Sequence, residues 1–182
     1  EDDVDEAIRA IQKIGTSLGS ISKNPNVLPY RSAYISSKMR AAYVTRQHIS
    51  VSLYDRLSTR PFLQAIEKKW IGFQLLKALE QCEAAGVFHG DIKAENILVT
   101  SWNWIFLTDF APFKPYYVPD SDPSPIYYYF SCDDRMRCGI APERFTSSST
   151  RQREQRESAA LQSTPDTRAD IFSMGCVIAE IF

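Results

Sequence analysis

The stretch His89-Gly90-Asp91-Ile92-Lys93-Ala94-Glu95-Asn96 places a histidine, a carboxylate, an ammonium group and an amide side by side. Asp109-Phe110-Ala111 follows thirteen positions after Asn96, and Ala141-Pro142-Glu143 comes later. Singly, each motif has an ordinary reading: His-Gly-Asp and Ala-Pro-Glu arise by chance, and Asp-Phe-Ala could end any strand. Their order and the first spacing carry the information. Between Asn96 and Asp109 lie two short apolar runs, Ile97-Leu98-Val99-Thr100 and Trp104-Ile105-Phe106-Leu107, separated by Ser101-Trp102-Asn103. Two such runs around a polar break predict a β-hairpin. A hairpin returns the chain to its starting end, so Asn96 and Asp109 are expected close together, and their side-chain oxygens suit a hard divalent cation.

In this order and spacing the three motifs resemble the catalytic half of a protein kinase. The resemblance implies phosphoryl transfer from ATP with magnesium, a reaction in which the protein mainly positions groups and neutralises charge. Asp91 then meets the attacking hydroxyl, and Lys93 sets an ammonium on the transferring phosphoryl group, a pattern more usual when the acceptor is serine or threonine. Asn96 and Asp109 hold the metal and, through it, the nucleotide. The implied fold is α+β and protein-kinase-like, in truncated form: the end of an N-lobe over residues 1–47, then the first part of a mainly helical C-lobe over 48–182. No Gly-rich phosphate loop or Val-Ala-Ile-Lys-like strand occurs in the sequence, so both are expected upstream of Glu1.

A narrower resemblance rests on Ser52-Leu53-Tyr54-Asp55-Arg56-Leu57-Ser58-Thr59-Arg60-Pro61-Phe62-Leu63, Ile66-Glu67-Lys68-Lys69-Trp70 and Val99-Thr100-Ser101-Trp102-Asn103-Trp104. With Ala141-Pro142-Glu143-Arg144-Phe145, these stretches resemble the vacuolar protein sorting fifteen type of kinase, the regulatory subunits of class III phosphatidylinositol 3-kinase complexes. Ser-Trp-Asn-Trp between the catalytic loop and the metal Asp is not a general kinase feature. This resemblance implies as partners the lipid kinase catalytic subunit and other autophagy and vacuolar-sorting subunits. It also implies a cytoplasmic location, peripheral on endosomal, vacuolar and autophagic membranes.

Composition sets outer limits. The chain has 182 residues, 44% of them hydrophobic, enough for a core, and a net charge of −1, which gives no electrostatic case for nucleic acid. No apolar run is long enough to span a bilayer, so membrane association is expected through partners or through regions outside this sequence. Cys82, Cys132, Cys138 and Cys176 lack metal-site spacing and read as reduced thiols.

Along the chain, Val4, Ala7, Ile8, Ile11 and Ile14 recur at helical spacing and predict a helix over residues 3–14 that ends at Gly15. Its Glu6 is the candidate partner for a strand lysine, weighed against a plain solvated face. Residues 31–38 and 41–47 predict strands, with the inter-lobe hinge at 46–50. There Gln47 and His48 are candidate adenine contacts through the backbone, although the His48 side chain reads as a surface group. Ile66, Trp70, Phe73, Leu76 and Leu79 predict an amphipathic helix over 62–85, with Trp70 in the core and Gly86 at its end. Residues 109–143 form the implied activation segment, where Pro112, Pro115, Pro119, Pro123 and Pro125 argue against helix. Its Tyr127-Tyr128-Tyr129-Phe130 cluster reads as a packing surface or a phosphorylation target. Residues 146–166 are polar and predict a flexible insertion, and a helix is expected from Asp170.

Three departures from the kinase pattern bear on activity. Gly90 stands where regulated kinases carry a phosphate-pairing Arg, Ala111 replaces a glycine, and Arg137-Cys138-Gly139 lacks the usual threonine and tyrosine of the substrate loop. Two function classes therefore remain open, an ATP-dependent serine/threonine kinase and a catalytically weak, nucleotide-binding scaffold of the same lipid kinase complex.

Overall fold

The apolar repeat near the N-terminus forms helix α1 (Asp2–Leu18), seen in a computed structural model that describes residues 2–20, 22–36, 41–130, 139–146 and 167–182. Ile8 and Ile11 pack on Ala33 and Tyr30, while Glu6 lies on the solvent side. The helix does not stop at Gly15. A Cβ there would stand 3.0 Å from the carbonyl oxygen of Tyr30, so the glycine serves a close backbone approach rather than a helix end.

Strand β1 (Val27–Leu28) was not foreseen, being too short to show a period, and it is followed by β2 (Ser32–Ser36) and β3 (Ala41–Thr45). The last two form an antiparallel ladder with Ser32 opposite Thr45 and Ser36 opposite Ala41. Arg46 and Gln47, expected within the second strand, lie beyond it. The expected end of the first strand, at 37–38, lies outside the described residues.

Helix α2 (Leu53–Ser58) carries a capping box: the Ser52 hydroxyl accepts from the Asp55 amide at 3.1 Å, and the Asp55 carboxylate accepts from the Ser52 amide at 3.2 Å. Helix α3 (Ala65–Ala84) starts three residues after the expected point, because Glu67 accepts from the Gln64 amide at 2.7 Å and sets the first turn there. Its inward face is the correction that matters. Ile71, Leu75, Ala78 and Cys82 are buried, whereas Ile66, Phe73 and Leu76 are exposed and Trp70 is 42% exposed. Trp70 instead stacks on Phe73, with ring centroids 5.7 Å apart, and meets the edge of Trp104. The helix is apolar on two adjoining stripes, and periodicity could not decide between them.

A 3-10 turn (Ala94–Asn96) leads into β4 (Ile97–Val99), which pairs antiparallel with β5 (Ile105–Thr108) as the hairpin reading required. Strand β1 adds to the outside of β5 in parallel, giving the order β1-β5-β4. Further on, β6 (Val118–Pro119) pairs with β7 (Phe145–Thr146) on either side of helix α4 (Ser124–Phe130). Helix α4 corrects the expectation that prolines exclude helix here: Pro125 sits in the first turn, where its missing N–H is not needed. Thr146, expected to open the flexible insertion, is a buried strand residue. The rest of that insertion lies outside the described residues, as do Cys132, Arg137 and Cys138.

Helix α5 (Arg168–Ile181) packs Met174, Val177 and Ile181 into the main core with Ile71, Leu75, Ile97, Leu107 and Phe110. Burial of Cys82 in that core pushes its thiol pKa up to about 12. Among the described residues no helix is long and apolar enough to cross a membrane.

One polar side chain ties α3 to the sheet. Gln74, buried among the apolar residues, accepts from the Ile105 amide at 3.1 Å and donates to the Asn103 carbonyl at 2.8 Å. Gln74→Leu should therefore cost about 1–3 kcal/mol by stranding buried groups. Phe73→Ala, on the exposed side, should cost less than about 1 kcal/mol; urea denaturation midpoints compare the two.

Candidate active site

The loop from Phe88 to Asn96 is held from beneath by α5. Asp170, in the first turn of that helix, accepts hydrogen bonds from the His89 amide at 2.7 Å and the Gly90 amide at 3.0 Å. Burial raises its carboxyl pKa, with His89, the two amides and Arg144 pulling the other way. The His89 ring is fully buried, with Nδ1 accepting from the Asp91 amide at 3.2 Å and Nε2 2.8 Å from the Thr108 carbonyl oxygen. Nδ1 as acceptor leaves the proton on Nε2, where it is donated to Thr108. Burial lowers the imidazole pKa and keeps the ring neutral, opposed chiefly by Asp170. His89 is thus an internal strut of the loop.

Gly90 has φ +81°, and a Cβ there would press to 3.0 Å from the Phe88 ring. The position therefore demands glycine for local reasons. Arg144, just after the Ala-Pro-Glu motif, is nearly fully buried and donates to the carbonyls of Gly90 at 2.9 Å, Tyr116 at 2.8 Å and Pro115 at 3.2 Å. Its guanidinium also lies over the rings of Phe88, Tyr116 and Phe130. That one cation binds the loop at Gly90 to the Pro115–Tyr116 segment.

Asp91 projects from this braced loop and is itself mostly buried. Its Oδ2 accepts from Lys114 Nζ at 2.5 Å and from Asn96 Nδ2 at 3.1 Å, with Lys93 Nζ 3.5 Å away. Asn96 Nδ2 also donates to the Asp91 carbonyl at 2.8 Å. Lys93 makes its closer bond to the Phe130 carbonyl at 2.7 Å, at the end of α4. Asp91, Lys93 and Asn96 are therefore together, as their spacing implied. Lys114 was missed, since nothing in a proline-rich stretch signals that its lysine folds back onto Asp91.

Asp109 follows β5 directly, as Asn96 precedes β4, so the Ile97–Leu107 register sets both at the open end of the hairpin. Asp109 adopts φ +62°, which breaks the strand and turns the carboxylate out of the ladder. Arg46 grips that carboxylate with two bonds, Nε to Oδ1 at 2.8 Å and Nη2 to Oδ2 at 3.0 Å. The Tyr30 phenol lies beside the same group, and its pKa is raised by burial and by the Asp109 charge. The Asp109 hydrogen bond in turn raises that of Arg46. Neither Tyr30 nor Arg46 was foreseen as part of the site.

The donor chemistry fits a hard cation. Asn96 spends its N–H2 on Asp91, which leaves the amide oxygen to accept, and Asp109 adds a carboxylate at the same hairpin end. Among the described residues no cluster of three or more His, Cys, Asp or Glu side chains exists, so this pair carries the assignment. Gln47 lines, with Tyr30 and Arg46, a cavity of about 1020 Å³ between α1 and strands β1 to β3. His48 is exposed and outside that lining.

A profile of the protein kinase domain matches residues 16–182, nearly the whole chain. The chain belongs to the protein kinase domain family, with a mixed α and β protein-kinase-like fold. Within it the likeness is to kinases of the Vps15 type. The serine/threonine-protein kinase vps15 of Schizosaccharomyces pombe is 50% identical over 158 residues, covering 86% of this chain and 9% of that protein. VPS15 of Saccharomyces cerevisiae is 47% identical over 173 residues, 94% of this chain and 11% of that protein, and VPS15 of Arabidopsis thaliana is 44% identical over 181 residues, 99% and 12%. The chain thus spans about a tenth of the length of these curated relatives.

The neutral state of His89 has a thermodynamic signature. Its lowered pKa means that below the ordinary value of about 6.5 the unfolded chain takes up protons that the folded one does not. Stability from this group is present above that pH and is lost as pH falls. The advantage in Tm of the wild type over His89→Asn should shrink between pH 7.5 and 5.5. A pH-independent advantage would remove the assignment.

Proposed function

We propose that the chain is the catalytic-loop part of an ATP-dependent serine/threonine protein kinase that regulates a class III phosphatidylinositol 3-kinase in vesicle sorting and autophagy. The observation that carries the reading is the constellation of Asp91, Lys93 and Asn96 on one braced loop, with Asp109 at the same end of the hairpin. In this reading Asp91 receives the proton of the substrate hydroxyl and Lys93 neutralises charge on the transferring phosphoryl group. Asn96 and Asp109 would hold magnesium, which supplies charge neutralisation at the nucleotide phosphates when bound. The protein kinase family in general uses ATP and magnesium, and Gln47 and His48 are proposed to meet the adenine through their backbone. Resemblance to the Vps15 type supports the lipid kinase catalytic subunit and its sorting and autophagy partners as the assembly. It equally supports peripheral placement on endosomal, vacuolar and autophagic membranes.

A second reading, a catalytically weak scaffold of the same complex, is favoured by one specific observation. Both functional carboxylates are already engaged by cations of the chain itself, Asp91 by Lys114 and Asp109 by Arg46. In such a scaffold these pairs persist and hold the activation segment closed.

The two readings part in the full-length protein. Asp91→Asn should abolish autophosphorylation while changing ATP affinity less than about threefold, because the base acts in the transition state. Asp109→Ala should also abolish autophosphorylation, because it removes a ligand of the metal that phosphoryl transfer requires. Filter-captured phosphate and calorimetric ATP binding measure the two quantities. Wild-type protein that transfers no more phosphate than Asp91→Asn would leave the scaffold reading standing alone.

A further inference from the structure

The chemistry that suits Asp109 to a divalent cation is the same chemistry that Arg46 satisfies. A carboxylate offers about four lone-pair positions, and here Arg46 Nε and Nη2 take two of them, one on each oxygen. The planar guanidinium matches the carboxylate as a fork, which neither a lysine nor a lone ammonium reproduces. Magnesium sheds its water shell reluctantly and demands near-ideal geometry, so it meets a carboxylate that is already dry on one side and neutralised. Arg46 is also anchored independently, since Nη1 donates to the Gln47 carbonyl at 3.3 Å at the start of the proposed hinge. The pair joins the strand β3 side of the site to the hairpin side, with both side chains only about a quarter exposed.

We infer that Arg46 is a specificity-determining residue of this site: its guanidinium competes with the divalent cation for Asp109 and makes nucleotide binding only weakly dependent on metal. The inference rests on the nucleotide-binding reading of the preceding section. No bond is made or broken covalently. When metal binds, the Asp109 oxygens exchange the guanidinium for the cation, and the guanidinium keeps its hold on the Gln47 carbonyl. Nothing in the kinase motifs points to this residue. Its role follows from the fold, which brings the end of β3 to the end of β5.

The test compares ATP binding by calorimetry in magnesium and in chelator, with manganese as a second metal, for full-length wild type, Arg46→Met and Arg46→Lys. In the wild type the affinity ratio between metal and chelator should stay below about threefold. Charge-assisted paired hydrogen bonds lie at the stronger end of the range, so removing the competitor in Arg46→Met should raise the ratio by about tenfold. Arg46→Lys keeps the charge, loses the fork and should move the ratio in the same direction by less, which supplies the answer if Arg46→Met fails to fold. A separate readout is the rise in Tm with manganese alone, expected to be larger in both variants than in the wild type and absent in Asp109→Asn. ATP binding by every variant with one common metal dependence would overturn the role of Arg46 and leave the nucleotide site intact. Failure of all of them, the wild type included, to bind ATP with or without metal would remove the nucleotide reading and this inference with it.

Discussion

The buried carboxylate of Asp170 is the constraint on which the site depends. An ionised acid in a protein interior is costly unless its lone pairs are filled, and here they are filled by the amides of His89 and Gly90. The same bonds that satisfy the carboxylate hold the catalytic loop on the end of α5. From that anchored backbone follow the inward His89 ring, its bond to the end of β5 and the outward course of Asp91. Arg144 completes the arrangement from the other side by binding the Gly90 carbonyl and two carbonyls of the activation segment.

Above that scaffold, every carboxylate with an implied chemical role has a cationic partner from a different part of the chain. Asp91 is met by Lys114 from the stretch after β5, and Asp109 by Arg46 from the edge of the β2–β3 ladder. Partly buried charges repel and are poorly hydrated when alone, so such pairing is what electrostatics favours before a triphosphate and its metal arrive. The ends of α4 and the catalytic loop are joined similarly, through Lys93 and the Phe130 carbonyl. A chain that binds nucleotide must rearrange these contacts.

Much of the fold was legible before any coordinates. The β4–β5 hairpin, the long helix before the catalytic loop, and α5 from near Asp170 follow from short apolar runs, helical spacing and polar breaks, each expressed within a few consecutive residues. The misreadings have local causes as well. Gly15 predicts a helix stop that the fold does not make, because a glycine that ends a helix and one that admits a neighbouring carbonyl look alike in one dimension. Pro125 counted against a helix although a proline in the first turn costs nothing there. Leu53–Ser58 was passed over despite its Ser-x-x-Asp capping signal.

The sequence by itself determined the identity and order of Asp91, Lys93, Asn96 and Asp109, and brought the last two together through a hairpin of two short apolar runs around a polar break. Only the tertiary structure decided which stripe of α3 faces inward, because Ile71, Leu75 and Ala78 are chosen by the sheet and α5 rather than by spacing along the helix. It alone revealed Arg46, Tyr30 and Lys114 at the site. Those residues lie 63, 79 and 23 positions from the carboxylates they meet, counted as Arg46 to Asp109, Tyr30 to Asp109 and Lys114 to Asp91. A charge pair across such distances leaves no periodic trace in the chain, since it is made by the packing of elements and not by any one of them.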